Sequence, residues 1–347
     1  MTGAAGTPAS ARTRKLGPFS VPPIGLGCMN LSHAYATPPA PEDAAKLLLH
    51  ALDRGVTHFD TATLYGFGAN EELVGRVLAP HRERIMLASK CGMHGVLADG
   101  RMKRVIDGRP ETLKRSCALS LERLRTDVID LYYLHRWDKQ VPIEESVGAL
   151  ADLVREGKIK AIGLSEVSAA TLRRAHAVHP IAAVQSEYSL ATRNPEIAVL
   201  AACREIGATF VAFSPLGRGF LSGTLRDITH LSGNDIRRAM PRFEAGNYAA
   251  NLRVLDAYAR LAAAGRCTMS QLALAWVLAR GEHVVAIPGT TRIEHLDENL
   301  GADRVAVGAE LIAKLDALFA PGALIGNRYS ASNQAEIDTE TFAAESP

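Results

Sequence analysis

The sequence is poor in the features that mark several common protein classes. Cysteine is scarce: five residues, Cys28, Cys91, Cys117, Cys203 and Cys267, lie far apart, with no C-x-x-C among them. An odd, scattered set argues against a disulfide framework or a cysteine zinc site and for reduced thiols in a cytoplasm, and no metal site is expected. Long apolar runs are missing as well. None approaches the roughly 20 residues of a membrane-spanning helix. The opening MTGAAGTPASARTRK lacks the apolar core of a secretory signal. Charge of one sign is not in excess either. The formal net charge is +2 and the basic residues form no block. Nothing here provides the bulk field that draws a protein to nucleic acid or to a membrane surface.

What remains is an ordinary globular composition in a long chain. With 347 residues, 47% of them apolar and 22% charged, there is material for a large core. Residues 1–11 read as a flexible tail, residues 12–326 as a single domain, and residues 327–347 as a polar, loosely held C-terminal tail. Short apolar runs alternate with longer amphipathic stretches. The runs are VTHFD (56–60), RIMLASK (84–90), VIDLYYLH (128–135), IKAIGLS (159–165), IAAVQSE (181–187), ATFVAFS (208–214) and HVVAIPG (283–289). Continuous apolarity fits parallel strands covered on both faces. Between the runs, segments such as PEDAAKLLLHALDRG open on proline and acids and close on glycine, as helices do. Strand–helix alternation over this length predicts a parallel α/β fold. Seven clear strands and a weaker eighth near Ala302–Val305 favour a closed (β/α)8 barrel. RKLGPFSVPPIGLG reads as a hairpin covering the barrel floor. More than fifty residues separate Ser214 from Thr268, with a polar middle, and read as an active-site loop.

The first three runs end in a telling way, on Asp60, Lys90 and His135. In a parallel barrel such strand ends meet on the C-terminal face, where the site is built. Neighbouring strands lie roughly 4.8 Å apart, so Asp60 can pair with Lys90, with His135 alongside. Tyr65, in the Gly-rich stretch after Asp60, can fold back over them. A tyrosine ordinarily titrates near ~10, and a nearby ammonium favours its phenolate. Asp60 keeps the buried Lys90 charged and placed, while His135 can orient a carbonyl oxygen. Together they make a general acid and an oxyanion site. No side chain donates hydride, so a reductant must be bound. Taken singly, each residue is better explained by structure: an ion pair, a satisfied core histidine, a loop anchor. Their joint occurrence at strand ends is far more specific.

These stretches carry a resemblance. GLGCMN, GVTHFDTATLYGFGANEELVG, IMLASK, SLERLRTDVIDLYYLH, KIKAIGLSE, VQSEYSL, AFSPLGRGFLSG and IPGTTRIEHLDENLGA are together similar to the aldo-keto reductase superfamily, from about Lys15 to Leu318. The resemblance implies Asp60, Tyr65, Lys90 and His135 as a catalytic tetrad, with Tyr65 protonating a carbonyl oxygen as hydride arrives from NADPH. It implies Ser165 and Gln185 on the nicotinamide carboxamide and Phe213 stacked on the ring. Ser214, Leu216, Gly217 and Arg218 would meet the pyrophosphate. Arg292 would meet the 2′-phosphate and Glu298 and Asn299 the adenine side, with Gly289 and Thr290 also on the cofactor. The substrate implied is a small carbonyl compound.

The chain departs from the family in places. Glu166 follows the serine where many members have asparagine; Gly289–Thr290 replaces a Lys-Ser pair; His295 replaces a common arginine. Substrate choice would lie in residues 28–40, 91–108 and 218–250, with Met29, Tyr35, Trp137 and Phe243 as possible apolar lining. GRGFLSG has one residue too many for a dinucleotide fingerprint and follows a late strand, which excludes a Rossmann reading. Two other functions compete with a reductase. The same family includes potassium-channel β subunits, which bind the nucleotide as regulatory partners. An unrelated barrel enzyme would use Lys90 as a Schiff-base nucleophile.

Overall fold

In the computed structural model, residues 12–35 and 37–343 are described; the tail expected over residues 1–11 lies outside them. The chain opens with an antiparallel hairpin of β1 (Arg14–Leu16) and β2 (Phe19–Val21). The barrel begins with β3 (Leu26–Gly27), β4 (His58–Asp60) and β5 (Met86–Cys91). A second hairpin, β6 (Met93–Ala98) and β7 (Arg101–Ile106), leaves the barrel after β5. The barrel continues through β8 (Ile129–Leu134), β9 (Ile159–Ser165), β10 (Ile181–Glu187), β11 (Thr209–Phe213) and β12 (Val284–Ile287).

Eight of these strands form one parallel sheet in the order β12-β11-β10-β9-β8-β5-β4-β3. The sheet closes where β3 meets β12. The Gly25 N–H donates to the Ala286 carbonyl at 2.9 Å, the Ala286 N–H to that of Pro23 at 2.9 Å, and the Gly27 N–H to that of Pro288 at 3.2 Å. The architecture is the (β/α)8 barrel that the alternation predicts.

The eighth strand, however, is not the one expected. Residues Gly301–Arg304 form a 3-10 turn, and the eighth strand is Leu26–Gly27. These two residues, which follow a proline pair, Ile24 and Gly25, carry no strand-length signal and read from sequence as part of the hairpin segment. The hairpin itself does sit at the barrel floor. Thr209, at the start of β11, donates its hydroxyl to the Lys15 carbonyl at 2.9 Å, and Leu16 and Val21 join the inward-facing core with Met86, Leu131, Tyr133, Val211 and Val285.

Two further segments differ from expectation. The long stretch after β11 is only partly loop: Ala245–Ala264 is a helix of 20 residues, which buries Tyr248, Leu255 and Tyr258. The segment after Asn327 is held rather than loose. Arg328, Tyr329, Ile337 and Thr339 are buried. Lys139 donates to the Ala335 and Ile337 carbonyls at 2.9 and 2.8 Å, and the Ser168 hydroxyl to Asp338 at 2.8 Å. Its anchors are polar and distant in sequence, which no local pattern announces. Among the described residues no single helix is long and apolar enough to cross a membrane.

Candidate active site

The C-terminal ends of the barrel strands open into a cavity of about 740 Å³. Asp60 closes β4 and projects inward. The chain then turns through Gly66 (φ 57°), Phe67 (φ 53°) and Gly68 (φ 104°), three successive left-handed residues. Two glycines in three make that run affordable. The turn returns Tyr65 to the cavity wall and starts the helix Ala69–Leu78. Asn70, fully buried, ties this turn down. Its amide donates to the Cys28 carbonyl at 2.8 Å and its oxygen accepts from the Thr61 hydroxyl at 2.6 Å.

Lys90 is entirely buried beneath the wall. Its ammonium pairs with Asp60, donates to the Thr61 carbonyl at 2.8 Å and lies 3.4 Å from the Tyr65 hydroxyl. Gln185 donates to the other Asp60 oxygen at 2.8 Å. His135 meets Tyr65 edge-on, with ring centroids 5.8 Å apart. The four residues expected to act together therefore do meet at one place.

Their electrostatics follow from burial and partners. Burial works against the Lys90 charge, but Asp60 and Tyr65 outweigh it and raise the pKa above the ordinary lysine value. His135 titrates far below the usual histidine value, through burial first and then through Arg136, Lys90, Arg104 and His33; it is neutral at physiological pH. Tyr65 departs from the sequence expectation. Burial raises its pKa and outweighs the lowering by Lys90. The phenol is therefore protonated at neutral pH, a donor rather than a partial phenolate.

The cavity also collects most of the expected cofactor-binding positions. Ser165, Gln185, Phe213, Ser214, Leu216, Arg218, Gly289, Thr290, Glu298 and Asn299 all line it. They lie at or just beyond the C-terminal ends of β9 to β12 and in the helix Ile293–Leu300. Gly289 is a glycine because the barrel closes there: a Cβ would come within 2.9 Å of Asn30 Oδ1 and 3.0 Å of the Gly27 carbonyl. Gly217 and Arg292 are not part of the lining. Arg292 is largely exposed and 3.4 Å from Glu294. Arg218 lines the cavity, but its guanidinium is engaged. It donates to Glu187 at 2.6 Å, to the Tyr329 hydroxyl at 3.1 Å and to that of Tyr35 at 3.3 Å.

Of the apolar lining candidates, Met29 and Tyr35 face the cavity and Trp137 and Phe243 do not. Trp137 donates to the Val141 carbonyl at 2.8 Å, and Phe243 stacks on Tyr248 at 5.3 Å.

Glu166, the departure after Ser165, is buried in a two-bond fork with Arg328, at 2.5 and 3.1 Å; Arg328, Arg104 and Arg136 are residues the sequence does not single out. A Glu166 oxygen also accepts from the Glu187 N–H at 2.8 Å. Arg104 of β7 reaches Glu336 at 2.5 Å and so joins the hairpin to the C-terminal segment across the cavity rim. Arg136 lines the cavity beside His135; its adjacency to His135 in the chain was the one available signal.

Comparison with known proteins agrees with this fold. The family model of the Aldo/keto reductase family matches residues 23–320. A probable aldo-keto reductase 1 of Glycine max is 44% identical over 326 residues, covering 93% of each chain. An NADP(+) aldo-keto reductase of Schizosaccharomyces pombe is 42% identical over 337 residues, covering 96% of this chain and 98% of its own. Among solved structures, a glycerol dehydrogenase of Gluconobacter oxydans superposes with a TM-score of 0.82 at 28% identity, over 92% of this chain and 98% of its own. An aldo/keto reductase of Klebsiella pneumoniae in complex with NADP and acetate does so with a TM-score of 0.68 at 29% identity, over 92% and 99%. By fold and sequence alike, this chain belongs to the aldo/keto reductase family.

Proposed function

We propose that the protein reduces an aldehyde or ketone to the alcohol with NADPH, and that Tyr65 is the general acid. The observation that carries this reading is the Tyr65 hydroxyl, at the cavity wall and 3.4 Å from a buried, charged Lys90. The residues present suit the dinucleotide. Polar groups at Ser165 and Gln185, an aromatic face at Phe213, a turn at Ser214, Leu216, Gly217 and Arg218, and the group Gly289, Thr290, Arg292, Glu298 and Asn299 would hold it in that order. With the Arg218 guanidinium engaged by Glu187, that turn would offer backbone N–H groups to the pyrophosphate. NADP(+) in the name of the fission-yeast relative and NADP in the Klebsiella complex support the choice of nucleotide.

When bound, NADPH supplies the hydride that reaches the carbonyl carbon. Everything else falls to the chain. Tyr65 donates its phenolic proton to the carbonyl oxygen as negative charge develops there. Lys90 lies behind the phenol and stabilises the phenolate left after proton transfer. Asp60 and the Thr61 carbonyl hold that ammonium in place. His135, neutral and edge-on to Tyr65, can hydrogen-bond the same oxygen and fix its orientation.

The direct test is NADPH oxidation by the purified protein with a panel of aryl, aliphatic and sugar aldehydes, α-diketones and cyclic ketones. Carbonyl-dependent oxidation is expected. Tight NADPH binding without turnover on any member would favour the regulatory, nucleotide-sensing function known among channel β subunits.

Arg292 tests the nucleotide more finely. Its exposed side chain, held only by Glu294 among the described residues, is free to swing onto a 2′-phosphate, where guanidinium donors bind bidentately. Arg292→Ala should weaken NADPH by about ten-fold or more, the worth of one charge-assisted contact, and leave NADH nearly as it was. Equal losses for both nucleotides in a fluorescence titration would remove Arg292 from that role.

A further inference from the structure

The cavity wall carries four arginines: Arg104, Arg136, Arg218 and Arg237. Three of them are neutralised. Arg104 pairs with Glu336 at 2.5 Å, Arg218 with Glu187 at 2.6 Å and Arg237 with Asp235 at 2.7 Å. Lys90 is likewise matched by Asp60. Arg136 is the exception. It is half-buried and has no carboxylate within ion-pair distance among the described residues.

Its surroundings explain why it stays unmatched. Glu166 is the carboxylate whose titration Arg136 influences. Both Glu166 oxygens are already taken by the Arg328 fork, and one of them also by the Glu187 N–H. One carboxylate between two guanidinium groups leaves a surplus of one positive charge, and that surplus faces the cavity. A half-buried, unpaired charge is costly, and a chain that pairs every neighbouring arginine has not paired this one.

The donors are placed for a ligand. Nη1 of Arg136 bonds the His135 carbonyl at 2.8 Å and the Ser165 hydroxyl at 3.3 Å. These bonds fix the side chain. They also leave Nε and Nη2 without a partner among the described residues, out of the five N–H donors a guanidinium owns. The group sits one residue after His135, beside the atoms that would receive a carbonyl oxygen.

We propose that Arg136 binds a carboxylate on the substrate, so that the carbonyl compound reduced here is an oxo acid: an aldehyde or ketone with a carboxylate at its other end. A single surplus positive charge matches a carboxylate better than a doubly charged phosphate. The planar fork suits a carboxylate's two oxygens. This assignment rests on the reductase reading above and names the substrate class for it.

Two matched substrate pairs test the assignment: 4-carboxybenzaldehyde against methyl 4-formylbenzoate, and 4-oxobutanoate against its methyl ester. Each pair keeps the aldehyde and replaces the charged carboxylate by a neutral methyl ester, which is slightly larger and, in the aryl pair, activates the aldehyde rather than weakening it. The protein should prefer the acid in kcat/KM by about ten-fold or more in at least one pair, the worth of a charge-assisted hydrogen bond. Arg136→Gln should bring that ratio close to one, chiefly through KM, while Arg136→Lys should keep part of it. Ester turnover reports on the reductase reading by itself, so the two ideas fail separately.

Equal or better use of the ester in both pairs would overturn the proposal. So would an acid preference that survives Arg136→Gln. Equal losses on acid and ester together with weaker NADPH binding would also overturn it, and would give Arg136 to the nicotinamide carboxamide instead. Thermal melts of both variants show whether a loss comes from folding.

Discussion

Replacing Tyr65 by phenylalanine should lower kcat for carbonyl reduction by about 100- to 10,000-fold, the usual contribution of a positioned general acid, with NADPH affinity close to that of the parent. The substitution removes one oxygen and keeps the ring. The ring contacts with His33, at 6.3 Å, and with His135, at 5.8 Å, remain possible. Lys90 loses its neighbour at 3.4 Å but keeps Asp60 and the Thr61 carbonyl, so no buried charge is left bare. A large kinetic loss without a loss of fold is therefore the specific signature of the phenol.

The pH profile adds a second handle. Burial holds the Tyr65 pKa above the ordinary tyrosine value, against Lys90. The acid form is then present across the neutral range, and the reduction rate should stay level until pH rises past about 10. A rate falling with a midpoint near neutrality would point to another donor. His135 is a poor candidate, because burial and four neighbouring cationic or basic groups keep it neutral. Unchanged turnover in Tyr65→Phe would end Tyr65's role outright.

How much of this was readable in the chain varies with the range of the interaction. Asp60, Lys90 and His135 were legible because each ends or follows an apolar strand, and strand ends of a parallel barrel share one face. Strand register then places Asp60 opposite Ala88 and Lys90 opposite Tyr133. The eighth strand was not legible, since Leu26–Gly27 has no periodicity to detect and gains its identity only by pairing with β4 on one side and bonding to the β12 segment on the other. The raised pKa of Tyr65 was not legible either: the sequence shows the lysine that lowers it but not the burial that prevails. Trp137 was assigned to the cavity as an apolar residue near the site, yet its indole N–H needs an acceptor and finds one at Val141.

The least legible feature leads to the other large expected effect. Glu166 and Arg328 lie 162 positions apart and meet in a fork at 2.5 and 3.1 Å, fully out of contact with solvent on the glutamate side. Arg328 also donates to the Thr339 hydroxyl at 2.8 Å, so the pair fastens both ends of the segment that brings Tyr329, Asn333 and Glu336 to the cavity rim. Removing one member of a buried pair leaves the other charge uncompensated, which costs about 3–5 kcal/mol. Glu166→Gln should show that loss. The segment is peripheral, so the protein can limit the loss by releasing residues 328–340, and hydrogen exchange there should accelerate before the barrel melts.

Adding Arg328→Met to Glu166→Gln removes the stranded charge and should recover most of the stability, since apolar replacement of a whole buried pair is often neutral. The sign of the pH effect follows from Glu166. Burial alone would raise its pKa, but Arg328 and then Arg136 outweigh burial and hold it below the ordinary value. A carboxylate with a lowered folded pKa contributes stability above its unfolded value, near ~4.3, and loses it as pH falls through the folded one. Acid should therefore release the segment only below about pH 4, and Glu166→Gln should remove that step. Exchange at residues 328–340 that matches the parent in Glu166→Gln, at neutral pH and in acid, would show that the fork does not hold the segment.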